Sequence, residues 1–139
     1  RYVLLTTECT GCHVTPGPQG PMPDMYLAGG RQFVTNTHGT IVSRNLTPDA
    51  ETGMARRTDE DVKRVLRSGV YPDGRTISHT AMPWAQFSNF SDEDLHAVVV
   101  YLRHIKPVRH EIPPPAPGVA SAIEPGAFEV VSGTDAGKR

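Results

Sequence analysis

Aromatic side chains and net charge are both scarce in this chain of 139 residues. Phe, Trp and Tyr make up 6% of it and hydrophobic residues 37%, so its own side chains would build only a small core. A formal net charge of −1 argues against a nucleic acid as partner, because such partners need a strongly basic face. The length fits one domain.

A leader sequence and a membrane-spanning segment are also missing. No apolar run is long enough to cross a bilayer, and the chain opens at Arg1 inside a segment that favours a helix. We therefore expect the chain to start after an export segment or a membrane anchor that lies upstream of Arg1.

Only two cysteines are present, and both lie in the stretch Cys9-Thr10-Gly11-Cys12-His13. C-x-x-C-H is the attachment signature of c-type haem. Its two thiols form thioethers with the porphyrin vinyl groups, and its imidazole becomes the proximal ligand of the iron. We expect one covalent haem c on Cys9, Cys12 and His13, and burial of this group would compensate for the shortage of apolar side chains.

Two other uses of a C-x-x-C pair are less well supported. A dithiol oxidoreductase would place the pair at the start of a helix after a strand, and no alternating apolar run precedes Cys9. A structural zinc site needs four N or S ligands, and there is no second cysteine pair. Zinc would have to recruit scattered histidines.

Helices are predicted at both ends of the domain and in its middle. Residues 1–10 would form a short helix with Tyr2, Leu5 and Val3 on its apolar side. Residues 58–69 show an N-cap threonine, an acidic first turn and a terminal glycine. Residues 91–105 begin with a serine cap and carry apolar residues at helical spacing.

The remaining segments are predicted to be loops and short extended pieces. Residues 14–30 are dense in Pro and Gly, which excludes a long helix, and this loop is expected to carry a backbone carbonyl to the free ring nitrogen of His13. Residues 32–45 favour extended segments, and Thr47-Pro48-Asp49 favours a helix or turn start capped by Thr47. After Pro107 no periodicity survives, so we divide the chain into a haem domain, 1–107, and a Pro/Gly/Ala-rich tail or linker, 108–139.

The second axial ligand decides the function. A haem with one protein ligand is open to gas binding or catalysis, whereas a second ligand makes a closed electron-transfer centre. Met82 is favoured because it lies in an irregular loop before the last helix, and Pro83 would stiffen that loop. His79 is the second choice, and the other candidates are Met22, Met25, Met54, His38, His96, His104 and His110.

The ordered set of motifs resembles class I c-type cytochromes, especially the haem domains in cytochrome subunits of bacterial alcohol, aldehyde and gluconate-type dehydrogenases. The resemblance covers roughly residues 1–107. It is carried by CTGCH, AGGRQF, GTIVSRNLTPDAETG, RTDEDVKRVLRSGV, DGR, AMPW and FSDEDLHAVVVYLR, in that order. Many of these relatives carry three C-x-x-C-H motifs, whereas this chain has one.

The resemblance implies a small all-α cytochrome c fold in which the first and last helices cross beside the haem, with Tyr2 meeting Tyr101 or Leu102. It implies His13 and Met82 as the axial ligands. It also implies further haem-binding residues: Gly39, Ile41, Asn45 and Leu46 beside the haem, with Asn45 donating to a propionate, and Trp84 bordering the same cavity.

The expected function is electron transfer, with no substrate transformed by the protein itself. A haem edge framed by the motif cysteines would exchange electrons with redox partners, namely a dehydrogenase, an oxidase or another cytochrome. Covalent haem attachment in bacteria occurs outside the cytoplasmic membrane in this family, so the resemblance implies a periplasmic location. Two alternatives stay open: a haem sensor or catalytic haem with an open distal side, and an interaction module that docks through its Pro-rich tail.

Overall fold

The structure is a computed structural model, and it describes residue 4 and residues 7–35, 39–113 and 123–125. Within these ranges the elements are α1 (Cys9–Cys12), β1 (Pro16–Gly17), β2 (Gly20–Pro21), a 3₁₀ turn (Pro23–Met25), β3 (Gln32–Thr35), β4 (Gly39–Val42), α2 (Asp59–Ser68), β5 (Arg75–Ile77), α3 (Trp84–Phe87), α4 (Asp92–His104) and β6 (Ile123–Pro125). Tyr2, Val3 and Leu5 lie outside the described residues, and so does the expected crossing of Tyr2 with the last helix.

The described residues contain short strands as well as helices, so the all-α expectation is confirmed only in part. Three antiparallel pairs are present: β1 with β2, β3 with β4, and β5 with β6. The β3–β4 hairpin runs in register from Gln32 opposite Val42 to Thr35 opposite Gly39, as its β-branched residues predict. These ladders are short because Pro and Gly interrupt the chain between the helices.

Helix α2 is set by its two ends. The Thr58 hydroxyl accepts from the Asp61 N–H, and the Asp61 carboxylate accepts from the Thr58 N–H, which is a complete capping box. At the other end Gly69 adopts φ +69° and terminates the helix. The predicted boundaries are therefore confirmed, and Val62 and Leu66 are buried on one face of the helix.

Helix α4 supplies much of the core. The Ser91 side chain accepts from the Asp94 N–H, and the apolar stripe that follows is buried: Leu95, Val98, Val99 and Leu102. These residues cluster with the buried Leu4, Leu27, Leu66 and Phe87. No helix among the described residues combines the length and hydropathy needed to cross a membrane.

The turn after residue 47 is present, but Thr47 does not cap it. The Asp49 carboxylate accepts from the N–H groups of Glu51 at 3.1 Å and Thr52 at 2.7 Å. Thr47 is instead completely buried, and its hydroxyl donates to Asn45 Oδ1 at 2.8 Å. The prediction of Thr47 as cap was wrong because spacing alone cannot show that the hydroxyl is needed inside the fold.

Residues after Pro107 pack on the haem domain. The Val108 carbonyl accepts from Asn45 Nδ2 at 2.8 Å, and the His110 N–H donates to Thr52 Oγ1 at 2.9 Å. Further along, β6 pairs with β5, with Arg75 opposite Pro125. The boundary at 107 stays a prediction, and residues 108–110 are held by hydrogen bonds that composition does not reveal.

Replacing Thr58 by Ala tests the capping box. The substitution removes the hydroxyl that accepts from the Asp61 N–H and keeps the Thr58 N–H. We expect the free energy of unfolding to fall by about 1 kcal/mol. Denaturant unfolding of the haem-loaded protein measures it. Ser68→Ala is the matched control in the same helix, since the Ser68 hydroxyl only bonds back to the Arg64 carbonyl, and it should change stability by less than about 0.5 kcal/mol. Equal losses would contradict the capping role.

Candidate functional site

A large cavity collects the motif residues and the favoured distal ligand. Its volume is about 710 Å³, within the range of about 300–1,000 Å³ typical of cofactor sites. Cys9, Cys12, His13 and Met82 all line it. The walls come from the β3–β4 hairpin, the loop that follows it, α2, the loop before α3, and α4.

One backbone carbonyl fixes the ring of His13. His13 Nδ1 lies 2.7 Å from the Arg44 carbonyl oxygen, which leaves Nε2 as the ring nitrogen free to bind a metal. Burial lowers the pKa of His13 below its ordinary value, and the Arg44 carbonyl acts in the opposite direction. A neutral imidazole is the form that ligates metals. The carbonyl was expected from residues 14–30, and that expectation was wrong.

The Pro/Gly-rich loop has a different task, which is to clamp the segment that carries Arg44. The Gly29 N–H donates to the His13 carbonyl at 3.0 Å, and the Gly30 N–H donates to the Ser43 carbonyl at 2.9 Å. Gly29 has φ +74°, and a Cβ there would lie 2.6 Å from the carbonyl oxygens of Ser43 and Arg44. Only glycine permits this approach.

The two cysteine side chains are partly buried at the cavity wall. Burial raises the pKa of the Cys9 thiol, and a hydrogen bond with the Thr7 hydroxyl, 3.0 Å from Sγ, opposes that effect. Across the described residues, no three His, Cys, Asp or Glu side chains converge as a metal site would require. The described residues therefore give no support to a structural zinc site.

On the distal side, the candidate ligands separate clearly. Among the described methionines and histidines other than His13, Met82 and Met54 line the cavity, whereas Met22, Met25, His79, His96, His104 and His110 do not. His38 lies outside the described residues. Met54 is therefore the second candidate for the distal ligand after Met82, because it lines the cavity and His79 does not.

Of the haem-binding residues that the family resemblance implies, some line the cavity and others do not. Ile41, Asn45 and Leu46 line the cavity, and Gly39 pairs with Thr35 in the hairpin. Trp84 is not among the described residues that line the cavity, so its place beside the haem stays a prediction. Its indole N–H points instead at the Ile77 carbonyl, 2.7 Å away, which turns the ring out of the cavity wall.

The contact of Asn45 with a propionate stays a prediction, and the structure shows its amide bonded inside the protein. Asn45 is 4% exposed, and Nδ2 donates to Thr52 Oγ1 at 3.1 Å and to the Val108 carbonyl at 2.8 Å. Oδ1 accepts from the N–H and the hydroxyl of Thr47. Since both amide hydrogens are used inside the protein, no donor remains for a bound group.

Three arginines that the sequence motifs do not single out place positive charge on the cavity wall. Arg44, Arg57 and Arg75 line it together with Tyr71. Burial raises the pKa of the Tyr71 phenol, and the positive charges of Arg75, Arg44 and Arg57 act in the opposite direction. The Arg75 guanidinium lies 5.1 Å from the centre of the Tyr71 ring. Such a cluster favours an anionic group, and no spacing signal links its members in the sequence.

Comparison with known proteins agrees with this site. The family model described as Cytochrome c matches residues 2–106. The chain is 37% identical, over 78% of its length, to the cytochrome c subunit of the quinone-type alcohol dehydrogenase of Gluconobacter oxydans. It is 35% identical over 75% of its length to the gluconate 2-dehydrogenase cytochrome c subunit of Pantoea cypripedii, and 32% identical over 78% to the fructose dehydrogenase cytochrome subunit of Gluconobacter japonicus.

The chain corresponds to only part of each of these relatives. It covers 21% of the alcohol dehydrogenase subunit, 22% of the gluconate dehydrogenase subunit and 21% of the fructose dehydrogenase subunit. The family match nevertheless includes both cysteines of the C-x-x-C-H motif and most of the described residues. The chain therefore belongs to the cytochrome c family and carries a covalently bound haem c.

Proposed function

We propose that this domain is an electron-transfer cytochrome whose single haem iron is held between His13 and Met82. The observation that carries the proposal is that both side chains line one cavity together with Cys9 and Cys12. The haem, when bound, supplies the one-electron chemistry. The protein's own contribution is to attach the group, orient it and keep both iron positions closed, so that no substrate reaches the metal.

The residues of the C-x-x-C-H motif suit covalent attachment. Cys9 and Cys12 bracket a single turn of helix, α1, and His13 follows at its C-terminal end, where its N–H donates to the Cys9 carbonyl at 2.8 Å. Thioether bonds to both sulfurs would fix the macrocycle over this turn, with Nε2 of His13 directed at the iron. The hydrogen bond from Nδ1 to the Arg44 carbonyl would raise the basicity of the ligand.

We take Met82 in preference to Met54 as the distal ligand because the backbone of Met54 is bonded to the segment that holds His13. The Met54 N–H donates to the Thr47 carbonyl at 2.8 Å, three residues after the carbonyl that bonds His13. Met82 comes from a separate loop, where its N–H donates to the Ser78 carbonyl at 3.1 Å. A ligand pair must approach the iron from opposite faces, which favours ligands from two independent segments.

The arginine cluster suits the carboxylates of the haem. Arg44, Arg57 and Arg75 line the cavity together with Tyr71, on which their charges act, and guanidinium groups pair favourably with carboxylates. Pairing the propionates there would orient the haem about the axis defined by His13 and Met82. This assigns to the arginines the task that the family resemblance had given to Asn45.

The partners are proposed from the relatives. The names of the relatives in Gluconobacter oxydans and Pantoea cypripedii describe cytochrome c subunits of dehydrogenases. We therefore expect the domain to accept electrons from a dehydrogenase and pass them to an oxidase or another cytochrome, in the bacterial periplasm. In this role it is a carrier within an oxidoreductase system and not itself an enzyme.

Substitution of Met82 by Ala tests the distal ligand. We expect the ferric protein to lose the methionine-to-iron absorption band and its low-spin character, because the sixth position then has no protein ligand. Met54→Ala is the matched control, since it also removes a methionine from the cavity wall, and its spectrum should match that of the parent. Optical spectra of both purified holoproteins provide the measurement.

The opposite pattern would reassign the site. Loss of the band in M54A but not in M82A would make Met54 the ligand. A parent protein that is high-spin, or that binds carbon monoxide rapidly in the ferrous state without denaturant, would favour the sensor or catalytic alternative over electron transfer.

Substitution of Arg57 by Gln tests the arginine cluster. The ferric haem carries one more positive charge than the ferrous haem, so removing a nearby cation stabilises the ferric form and lowers the reduction potential. We expect a fall on the order of tens of millivolts, where about 59 mV corresponds to a tenfold change in a one-electron equilibrium. Redox titration measures it.

Arg56→Gln is the matched control, because Arg56 is exposed like its neighbour Arg57 but is not part of the cavity wall among the described residues. It removes the same net charge from the chain, so its potential should stay close to that of the parent at moderate ionic strength. Equal shifts in R57Q and R56Q would mean that net charge alone acts and that Arg57 does not face the haem.

A further inference from the structure

The loop that carries Met82 is closed by a single side chain, Trp84. The indole N–H of Trp84 donates to the Ile77 carbonyl at 2.7 Å, and the Trp84 backbone N–H donates to the Met82 carbonyl at 2.7 Å. Residues 77–84 therefore form a closed loop whose two ends are joined by the indole. Met82 lies within this loop, two residues before the ring that closes it.

The indole of Trp84 packs directly against Gly69. A Cβ at Gly69 would lie 2.4 Å from Trp84 Nε1 and 2.6 Å from Trp84 Cδ1, so the ring lies directly against the glycine backbone. The Ile77 N–H also donates to the Gly69 carbonyl at 2.8 Å. Since Gly69 terminates α2 with φ +69°, the closed loop is attached to a capped helix that packs in the core.

We propose that Gly69, Ile77 and Trp84, here called the indole clasp, set the strength with which Met82 holds the iron. This inference rests on the proposed function, because it requires Met82 to be the ligand. The bond between the indole and the Ile77 carbonyl joins the two ends of the loop, so it opposes any change in the shape of residues 77–84 that would draw Met82 away from the iron. Its free energy thereby contributes to the energy needed to displace Met82.

Trp84 acts through Met82 and does not touch the cofactor cavity. It is only partly buried, and its ring meets the His79 ring edge-on at 6.4 Å between centroids. It is absent from the described cavity wall and from the core cluster around α4. A residue that served only the core would be expected among the buried side chains, so its position favours a local task at the loop.

The apparent affinity of the ferric protein for added imidazole, which displaces Met82, measures the effect of the indole clasp. In the ferric holoprotein, imidazole competes with the methionine sulfur, and the methionine-to-iron absorption band reports the fraction still bound. In Trp84→Phe the ring is kept but the N–H is lost. We expect the apparent affinity for imidazole to rise about threefold to tenfold, the effect of one net hydrogen bond.

Two further variants separate the clasp from general weakening. Gly69→Ala displaces the indole without removing it, because its Cβ has no room, and it should change the imidazole affinity in the same direction. Val99→Ala is the control: Val99 is buried in α4 and lies outside the described cavity wall. It should lower the midpoint of denaturant unfolding while changing the imidazole affinity less than about twofold, since Val99 belongs to the buried core cluster and not to the loop that carries Met82.

Each outcome decides the proposal. If the parent shows no methionine-to-iron band, the proposed function fails and the clasp fails with it. If the parent shows the band but both W84F and G69A bind imidazole within twofold of the parent, the clasp alone is overturned. If V99A strengthens imidazole binding as much as W84F does, the effect is general destabilisation and the clasp is again overturned.

Discussion

The hydrogen bond between His13 Nδ1 and the Arg44 carbonyl is the contact on which the site depends. It joins the haem-attachment motif to a segment 31 residues away, and it decides which ring nitrogen is left free to bind a metal. A single such bond contributes only about 0.5–1.5 kcal/mol net to stability. Its importance is directional, because a rotated ring would aim Nε2 away from the cavity.

A buried network keeps that carbonyl in place. Asn45 uses its donors and acceptor on Thr47, Thr52 and Val108, and the Thr52 hydroxyl donates to the Asp49 carboxylate at 2.8 Å. No buried side-chain nitrogen or oxygen among the described residues lacks a hydrogen-bond partner. Satisfied networks of this kind rigidify a core, and here the rigid part is the loop that presents Arg44.

Helices α2 and α4 could be predicted from sequence because their signals are local. Thr58, Asp61 and Gly69 determine the bounds of α2 through contacts within a few residues, and the apolar spacing of α4 marks its buried face. The residues of the haem-attachment motif, Cys9 to His13, are likewise consecutive in the sequence. In each case the physical cause lies inside a window of about one helical turn to a few turns.

The site beyond the motif could not be predicted, because its causes are long-range. Arg44 and the Gly29 backbone that approaches it are far apart in the sequence, and only the fold shows that a side chain at position 29 would collide with Ser43 and Arg44. The family resemblance gave Asn45 as a donor to the haem, and the sequence could not show that its amide bonds to Thr52 and Val108. The resemblance likewise placed Trp84 beside the cavity, and the sequence could not show that its indole bonds to the Ile77 carbonyl.

These contacts make the two sides of the haem unequal. The proximal side is attached through Cys9 and Cys12 and backed by a buried network, so its geometry is over-determined. On the distal side, the proposed ligand Met82 lies in the loop 77–84, in which no residue is fully buried. Segments with few buried contacts open at lower free energy than the core does. If the iron loses a ligand under stress, it should therefore lose Met82 and keep His13, and the domain would pass from a closed electron carrier to an open haem without unfolding.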